Sequence, residues 1–438
     1  MTTNAFVLDV YRESGFRISK DTSGGYGTEN DLGPGFIPAI LGKLLKHGLW
    51  WPPGNSLNLL SELIGAGFSA RYVTRVQDID AGTEFVFVSC SIVCIQTELE
   101  AIERVRAQFP RARVFAFGSV LYALSGLLAG KGVCVIKGEP EFLGQHSTLN
   151  PANLRLMHAL GEIVCESGDV DRLTRPYWVN DPGCVTRNLI FGRLDRYLPV
   201  LATRGCPYSC FEYCVYPLQQ GRKVRSVDPA KLAEDIHYMK KQTGAEKFVF
   251  RDPVFSINRN YTMSLIETLL RKGIKADFTI ETHLKNLDED ILDAMLAVGI
   301  RTIKFGVESA SPEVMNAVRR HSLVRDKQME IVELMRKKRI RTVAMYILCQ
   351  PTDNASTCRE TIDYAVQLDT NLAQFSLFTP YPATPYYNKV KIITKNYEDF
   401  SQYRLVYQHD EFSPAQARSI LGSAYTRFYW GKITRLPQ

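Results

Sequence analysis

The chain has 438 residues, of which 45% are hydrophobic and 23% charged, with a formal net charge of +7 at neutral pH. That length exceeds what one hydrophobic core usually serves, so two domains are expected, and the longest apolar run, residues 120–130, is too short to span a bilayer. Ten cysteines with no secretory-type leader argue for reduced thiols, metal ligands or catalysis in a cytoplasmic protein, not for a disulfide scaffold.

In chain order, strands are predicted at 5–10, 69–74, 85–90, 112–117 and 133–137, with helices near 36–47, 56–66, 97–108 and 119–128. This α/β alternation describes an open, Rossmann-like doubly wound domain over 1–150, which binds ligands beyond the carboxyl ends of its strands. The loops at those ends are 89–96, 117–120 and 137–141. Residues 151–195 read as a linker. Six further strands follow, at 198–203, 247–251, 276–281, 301–306, 341–348 and 373–378, separated by helices with clear boundary residues. Asp228 precedes Pro229 at one helix start and Gly244 follows its end, while Asp288 and Gly299 bracket another. Six βα units predict a partial TIM-like barrel over 196–390, with a C-terminal helical extension at 391–438. The basic stretch Arg319–Arg341 has Met329, Val332 and Met335 at helical spacing, so its charges are read as the solvated face of a helix.

Cys206, Cys210 and Cys214 stand close together in "RGCPYSCFEYCVYP", directly after the first barrel strand. Soft thiolates in such density favour zinc or an iron–sulfur cluster. Structural zinc calls for a fourth ligand, and His237, the nearest downstream histidine, lies in a predicted helix. A four-iron cluster on three cysteines leaves one iron open to a substrate or cofactor, at the face where such barrels place their chemistry. Cys90, Cys94 and Cys134 are read instead as small buried hydrophobes at strand ends.

With "FGVESASPEVMNAV" at the fourth barrel strand and "FTPYPATPYY" after the sixth, the cysteine motif resembles the radical S-adenosylmethionine superfamily. The N-terminal domain and the closing stretch "FSPAQARSILGSAYTRFYWGK" resemble its cobalamin-dependent branch. The resemblance implies a 4Fe-4S cluster on Cys206, Cys210 and Cys214, with S-adenosyl-L-methionine on the open iron and contacted by Tyr213, Asp252 and Glu308. It implies cobalamin over the N-terminal strand ends, near Ser89, Ser91, Gly118, Ser119, Gly138 and Glu139. The spacing Cys-x3-Cys-x3-Cys is one residue longer than the family's usual pattern, and no Asp-x-His-x-x-Gly motif offers cobalt a histidine; Asp235-Ile236-His237 is the nearest match.

The activity implied is C-methylation of an unactivated carbon in a small-molecule substrate, with an electron donor such as flavodoxin or ferredoxin. A radical rearrangement, ring contraction or cyclisation in the same branch is the alternative. RNA modification or RNA binding through the basic stretch is the reading from another class, and no appended RNA-binding domain accompanies it. No transmembrane segment is expected.

Overall fold

The segments "FVFVS", "RVFAF" and "VCVIKG" are apolar on both faces, and Val, Ile and Phe dominate them. Such strands suit the middle of a parallel sheet covered by helices on each side. A computed structural model describes residues 3–48, 50–185, 187–190, 193–320 and 322–434. Its first sheet is built from β1 (Asn4–Leu8), β4 (Ser69–Val73), β5 (Phe85–Ser89), β6 (Arg113–Phe117), β7 (Val133–Gly138) and β8 (Glu162–Cys165). Between β1 and β4, the two-residue strands β2 (Ile18–Ser19) and β3 (Thr28–Glu29) pair as a small antiparallel hairpin. The sheet order is β4-β1-β5-β6-β7-β8, and every pairing within it is parallel. The chain therefore winds first to one side of β1 and then to the other, so the ends of β1 and β5 form the topological switch point.

The second sheet begins with β9 (Arg187–Ile190) and β10 (Arg193–Val200), which pair antiparallel. The short pair β11 (Thr203–Arg204) and β12 (Arg225–Ser226) follows. Then come β13 (Lys247–Phe250), β14 (Asp277–Glu281), β15 (Ile300–Glu308), β16 (Arg341–Leu348) and β17 (Leu372–Leu377), in the order β17-β16-β15-β14-β13-β10-β9. From β10 to β17 all neighbours are parallel. In β15, Ile303, Phe305 and Val307 are buried and alternate with Thr302, Lys304, Gly306 and Glu308, which are half-buried. The first set packs beneath the helices and the second lines the lumen of an open barrel.

One feature differs from expectation. Segment 151–195, read as a linker, supplies helix Pro151–Ala159, the sixth strand of the first sheet and the edge strand of the second. Its strands are four residues long, too short to carry a period. The C-terminal helix Pro414–Thr434 covers the edge of β17, where the Tyr425 and Tyr429 hydroxyls donate to the Phe375 and Ala373 carbonyls (2.9 and 2.8 Å). It thereby caps an edge that would otherwise offer unpaired backbone.

Candidate active site

The cysteine loop is tied down before its first thiol. Asp252, two residues beyond β13, accepts hydrogen bonds from Ala202 N (3.1 Å), from Thr203 N, and from Thr203 Oγ1 (2.7 Å). Burial raises its carboxyl to about 6 against the pull of these donors. The pairs Thr203↔Ser226 and Arg204↔Arg225 close the base of the loop. Gly205 then turns with φ 89, where a Cβ would stand 2.2 Å from the Lys223 carbonyl oxygen.

Beyond this turn, Ser209–Glu212 winds as a 3-10 turn, and the backbone N–H groups of Tyr213 and Cys214 both donate to the Cys210 carbonyl (3.3 and 3.2 Å). The extra residue between the second and third cysteines is accommodated here. Cys206 and Cys210 are buried and Cys214 is half-buried. The Cys214 thiol donates to Cys210, and this bond with the neighbouring Arg320 guanidinium lowers the Cys210 thiol to about 6 despite burial. Cys214 is pushed well up by giving its proton to that bond, and Cys206 is raised by burial. One thiolate is thus favoured before any metal arrives, in the form that ligates iron. Among the described residues, no group of three His, Cys, Asp or Glu side chains stands close enough to hold a single metal ion. A four-iron cluster takes one thiolate per iron, so its ligands stand farther apart than those of one zinc ion.

Arg320 joins this loop to β15. Its Nη1 reaches Cys210 Sγ at 3.7 Å and its Nη2 lies 3.2 Å from Glu308 Oε1. Glu308 ends β15 in a left-handed conformation, φ 66, after a register shift between Gly306 and Glu308. A Cβ on Gly306 would stand 2.1 Å from Glu308 Oε1, so that glycine makes room for the carboxylate. Burial raises the Glu308 carboxyl to about 7, against the attraction of Arg320. Tyr213 packs its ring 5.6 Å from that of Phe378, and burial followed by the Glu308 charge pushes its hydroxyl well up. Cys206, Cys210, Cys214, Tyr213 and Glu308 therefore converge at one mouth of the barrel. Asp252 belongs to the base of the loop instead.

Sequence reasoning missed Arg320, because nothing in "AVRRHS" separates it from Arg319, which pairs with Glu212 at 3.3 Å. It also missed the charged lumen. Arg251, the residue after β13, is held by Asp21 (Nε to Oδ2, 2.7 Å) and lies over the Trp51 ring. On the next strands Glu281 and Lys304 are register partners. The Lys304 ammonium makes no hydrogen bond and no ion pair within 4 Å among the described residues, and burial together with Arg251 lowers it to about 8.

The six residues expected around cobalamin lie at the carboxyl ends of β5, β6 and β7, facing the barrel, and their polar groups are engaged within the protein. The Ser89 carbonyl accepts from Lys20 Nζ (3.3 Å), and Ser91 N and Oγ both bond the Glu98 carboxylate. Ser119 Oγ donates to the Gly24 carbonyl (2.6 Å). Gly118 and Gly138 have positive φ where a Cβ would meet the Cys90 and Cys165 carbonyls. Glu139 pairs with Arg204 and Arg225, each at 2.6 Å. Lys20 itself sits at the switch point, 2.7 Å from Asp9 and 2.8 Å from Glu98, with 1% of its side chain exposed. The cleft between Ser119, Gly138 and Glu139 on one side and Leu201, Tyr216 and Arg251 on the other encloses about 30 Å³.

Residues 200–365 match the radical SAM superfamily domain. An uncharacterised methyltransferase of Pyrococcus horikoshii is 25% identical over 234 residues, 52% of this chain and 50% of that protein. The bacteriochlorophyllide d C-12(1)-methyltransferase of Chlorobaculum tepidum is 24% identical over 208 residues, 47% of this chain and 45% of that protein. The chain thus spans about half the length of these curated relatives. The methyltransferase TsrM from Kitasatospora setae, solved with cobalamin and a [4Fe-4S] cluster, superposes with a TM-score of 0.64 at 14% identity, covering 97% of this chain and 91% of TsrM. Residues 200–365 thus carry a radical SAM domain within the barrel, and the chain shares the two-sheet fold of TsrM.

Proposed function

We propose that this protein is a radical SAM C-methyltransferase of the cobalamin-dependent type, acting on a small molecule bound in the barrel lumen. The observation that carries the reading is the convergence of three thiols, Arg320 and Glu308 at the barrel mouth, in a chain that shares the fold of the methyltransferase TsrM. The donor set fits an iron–sulfur cluster: three soft ligands, with Cys210 favoured as thiolate by the Cys214 thiol and the Arg320 charge, and no fourth ligand beside them among the described residues. Cys206, Cys210 and Cys214 would hold it, and a cluster so held supplies the single electron that breaks a carbon–sulfur bond of S-adenosylmethionine.

The protein's own residues then bind, orient and exclude water. Arg320 fixes the position of Cys210 and of Glu308 at once. Glu308 presents a carboxyl to the ribose or methionyl part of S-adenosylmethionine, and Tyr213, buried against Phe378, offers a flat wall to the adenine. Asp252 acts as a positioning residue, holding Ala202 and Thr203 so that the loop leaves β10 at a fixed angle. Lys304 offers a lumen ammonium to an acidic group of the substrate.

Cobalamin is the cofactor that the fold implies for the N-terminal sheet. Ser119, Gly138 and Glu139 at the carboxyl ends of β6 and β7 would line its site, and no step is routed through it.

Incubation with methyl-labelled S-adenosylmethionine and a low-potential electron donor, flavodoxin or ferredoxin, tests the activity. Label in the product supports methyl transfer, and a product without label supports the rearrangement or cyclisation alternative. The RNA reading is disfavoured by the pairing of the basic stretch: Lys327 with Glu330, Arg336 with Glu333, and Lys338 with Glu289 and Asp293.

A further inference from the structure

Helix Phe36–Lys46 (FIPAILGKLLK) has apolar residues on two faces. Ile37, Pro38 and Gly42 are buried against the body of the protein. On the opposite side Phe36, Ile40 and Leu44, spaced four apart, are 78, 43 and 67% exposed. An apolar stripe in line on a solvated face is not explained by folding, since it is the buried face that holds the helix in place. The stripe is not free to roll inward. Its lead-in is locked on the C-terminal helix, where a Cβ at Gly422 would stand 2.1 Å from the Pro34 carbonyl oxygen and one at Gly33 would stand 2.8 Å from Gly422 N. The same C-terminal helix presents Trp430 and Ile433, 57 and 54% exposed, beyond the point of contact.

The charges flanking the stripe identify its partner. The helix contains no Asp or Glu, and it carries Lys43 and Lys46 with His47 directly after it. Neither lysine has a carboxylate within 4 Å among the described residues; Lys46 Nζ reaches only the Ser14 carbonyl, at 3.1 Å. The same helix of a second copy has no carboxylate to meet those lysines. An anionic surface would meet them. No helix among the described residues is long and apolar enough to cross a membrane, but a short amphipathic helix with an outward apolar stripe and lysines at its margin is the pattern that lies in a bilayer interface.

We propose that helix Phe36–Lys46 docks this protein on an anionic lipid surface, with Phe36, Ile40 and Leu44 entering the acyl boundary and Lys43 and Lys46 meeting lipid phosphates. This inference is independent of the catalytic reading. Vesicle co-sedimentation of the full chain tests it without any activity readout. Vesicles of phosphatidylglycerol and phosphatidylcholine in equal parts are expected to retain the protein, and pure phosphatidylcholine vesicles to retain much less. Ile40→Glu with Leu44→Glu is expected to lower vesicle binding by about a hundredfold or more. Lys43→Gln with Lys46→Gln should lower it about fivefold per lysine and remove most of its salt sensitivity. All four positions are on the outer face, and circular dichroism with a thermal melt verifies that each variant is folded. Equal binding to both vesicle types, binding that survives the Ile40/Leu44 substitutions, or no binding to either vesicle overturns the proposal. A concentration-dependent dimer by light scattering that the same double substitution abolishes, with no vesicle binding, assigns the stripe to a second copy and also overturns it.

Discussion

Arg320→Met removes a side chain that touches both the cysteine loop and the end of β15, while keeping most of its aliphatic volume. In the folded protein the guanidinium donates to Cys210 Sγ at 3.7 Å and pairs with Glu308 at 3.2 Å. A hydrogen bond to a charged group is worth about 1.5–3 kcal/mol, and loss of such a partner behind a metal ligand commonly lowers metal affinity about 10–100-fold. The Glu308 carboxyl, already raised to about 7 by burial with Arg320 present, would go higher and lose its charge. Both effects point the same way. The variant should fold, take up iron during anaerobic reconstitution, and then release it to a chelator about 10–100-fold more readily than the parent, while binding S-adenosylmethionine more weakly. Arg320→Lys should recover part of both properties, since a lysine keeps the charge but not the fork that reaches two acceptors. Iron retention equal to that of the parent under the chelator challenge would refute the reasoning.

Three further outcomes follow from the packing. Gly306→Ala places a Cβ 2.1 Å from Glu308 Oε1, the movable end of a side chain, so denaturant unfolding should change little while calorimetric binding of S-adenosylmethionine weakens about tenfold as the Glu308–Arg320 pair is displaced. Lys20→Met leaves Asp9 and Glu98 buried with no cation between them and should cost about 3–5 kcal/mol in urea unfolding. One ammonium is shared by two buried carboxylates, and burial outweighs Lys20 in holding the Glu98 carboxyl at about 7 instead of 4.5. The unfolded chain releases that proton at the lower value and the folded chain keeps it until the higher one, so stability falls as pH rises across this window, by about 3 kcal/mol in all. Glu98→Gln should flatten the fall, and an unchanged pH profile would contradict it.

The strands were legible because they are parallel and covered on both faces. "FVFVS" and "RVFAF" offer no alternative reading, and β5 and β6 begin and end within a residue of expectation. The cysteine motif was legible as a density of thiols. What was not legible is decided by partners distant in sequence. Lys20 lies in a polar segment and reads as a surface residue, yet the fold carries it into the switch point beside Asp9 and Glu98. Glu139 was expected to face a cofactor, and the approach of Arg204 and Arg225, more than sixty residues downstream, turns it to an ion pair. Asp252 was expected among the cofactor contacts, and its hydrogen bonds go to the backbone at the foot of the loop. The left-handed turn at Glu308 has no glycine to announce it; the signal was the glycine two residues earlier, whose missing side chain makes the space.

The most direct test of the central claim is anaerobic reconstitution of the full chain, followed by iron and sulfide analysis and electron paramagnetic resonance of the reduced protein with and without S-adenosylmethionine. The account predicts about four irons and four sulfides per chain, a spectrum that changes when S-adenosylmethionine is added, and loss of the cluster in Cys206→Ala, Cys210→Ala and Cys214→Ala alike. A colourless protein that holds stoichiometric zinc, or a Cys214→Ala variant with its cluster intact, would contradict it.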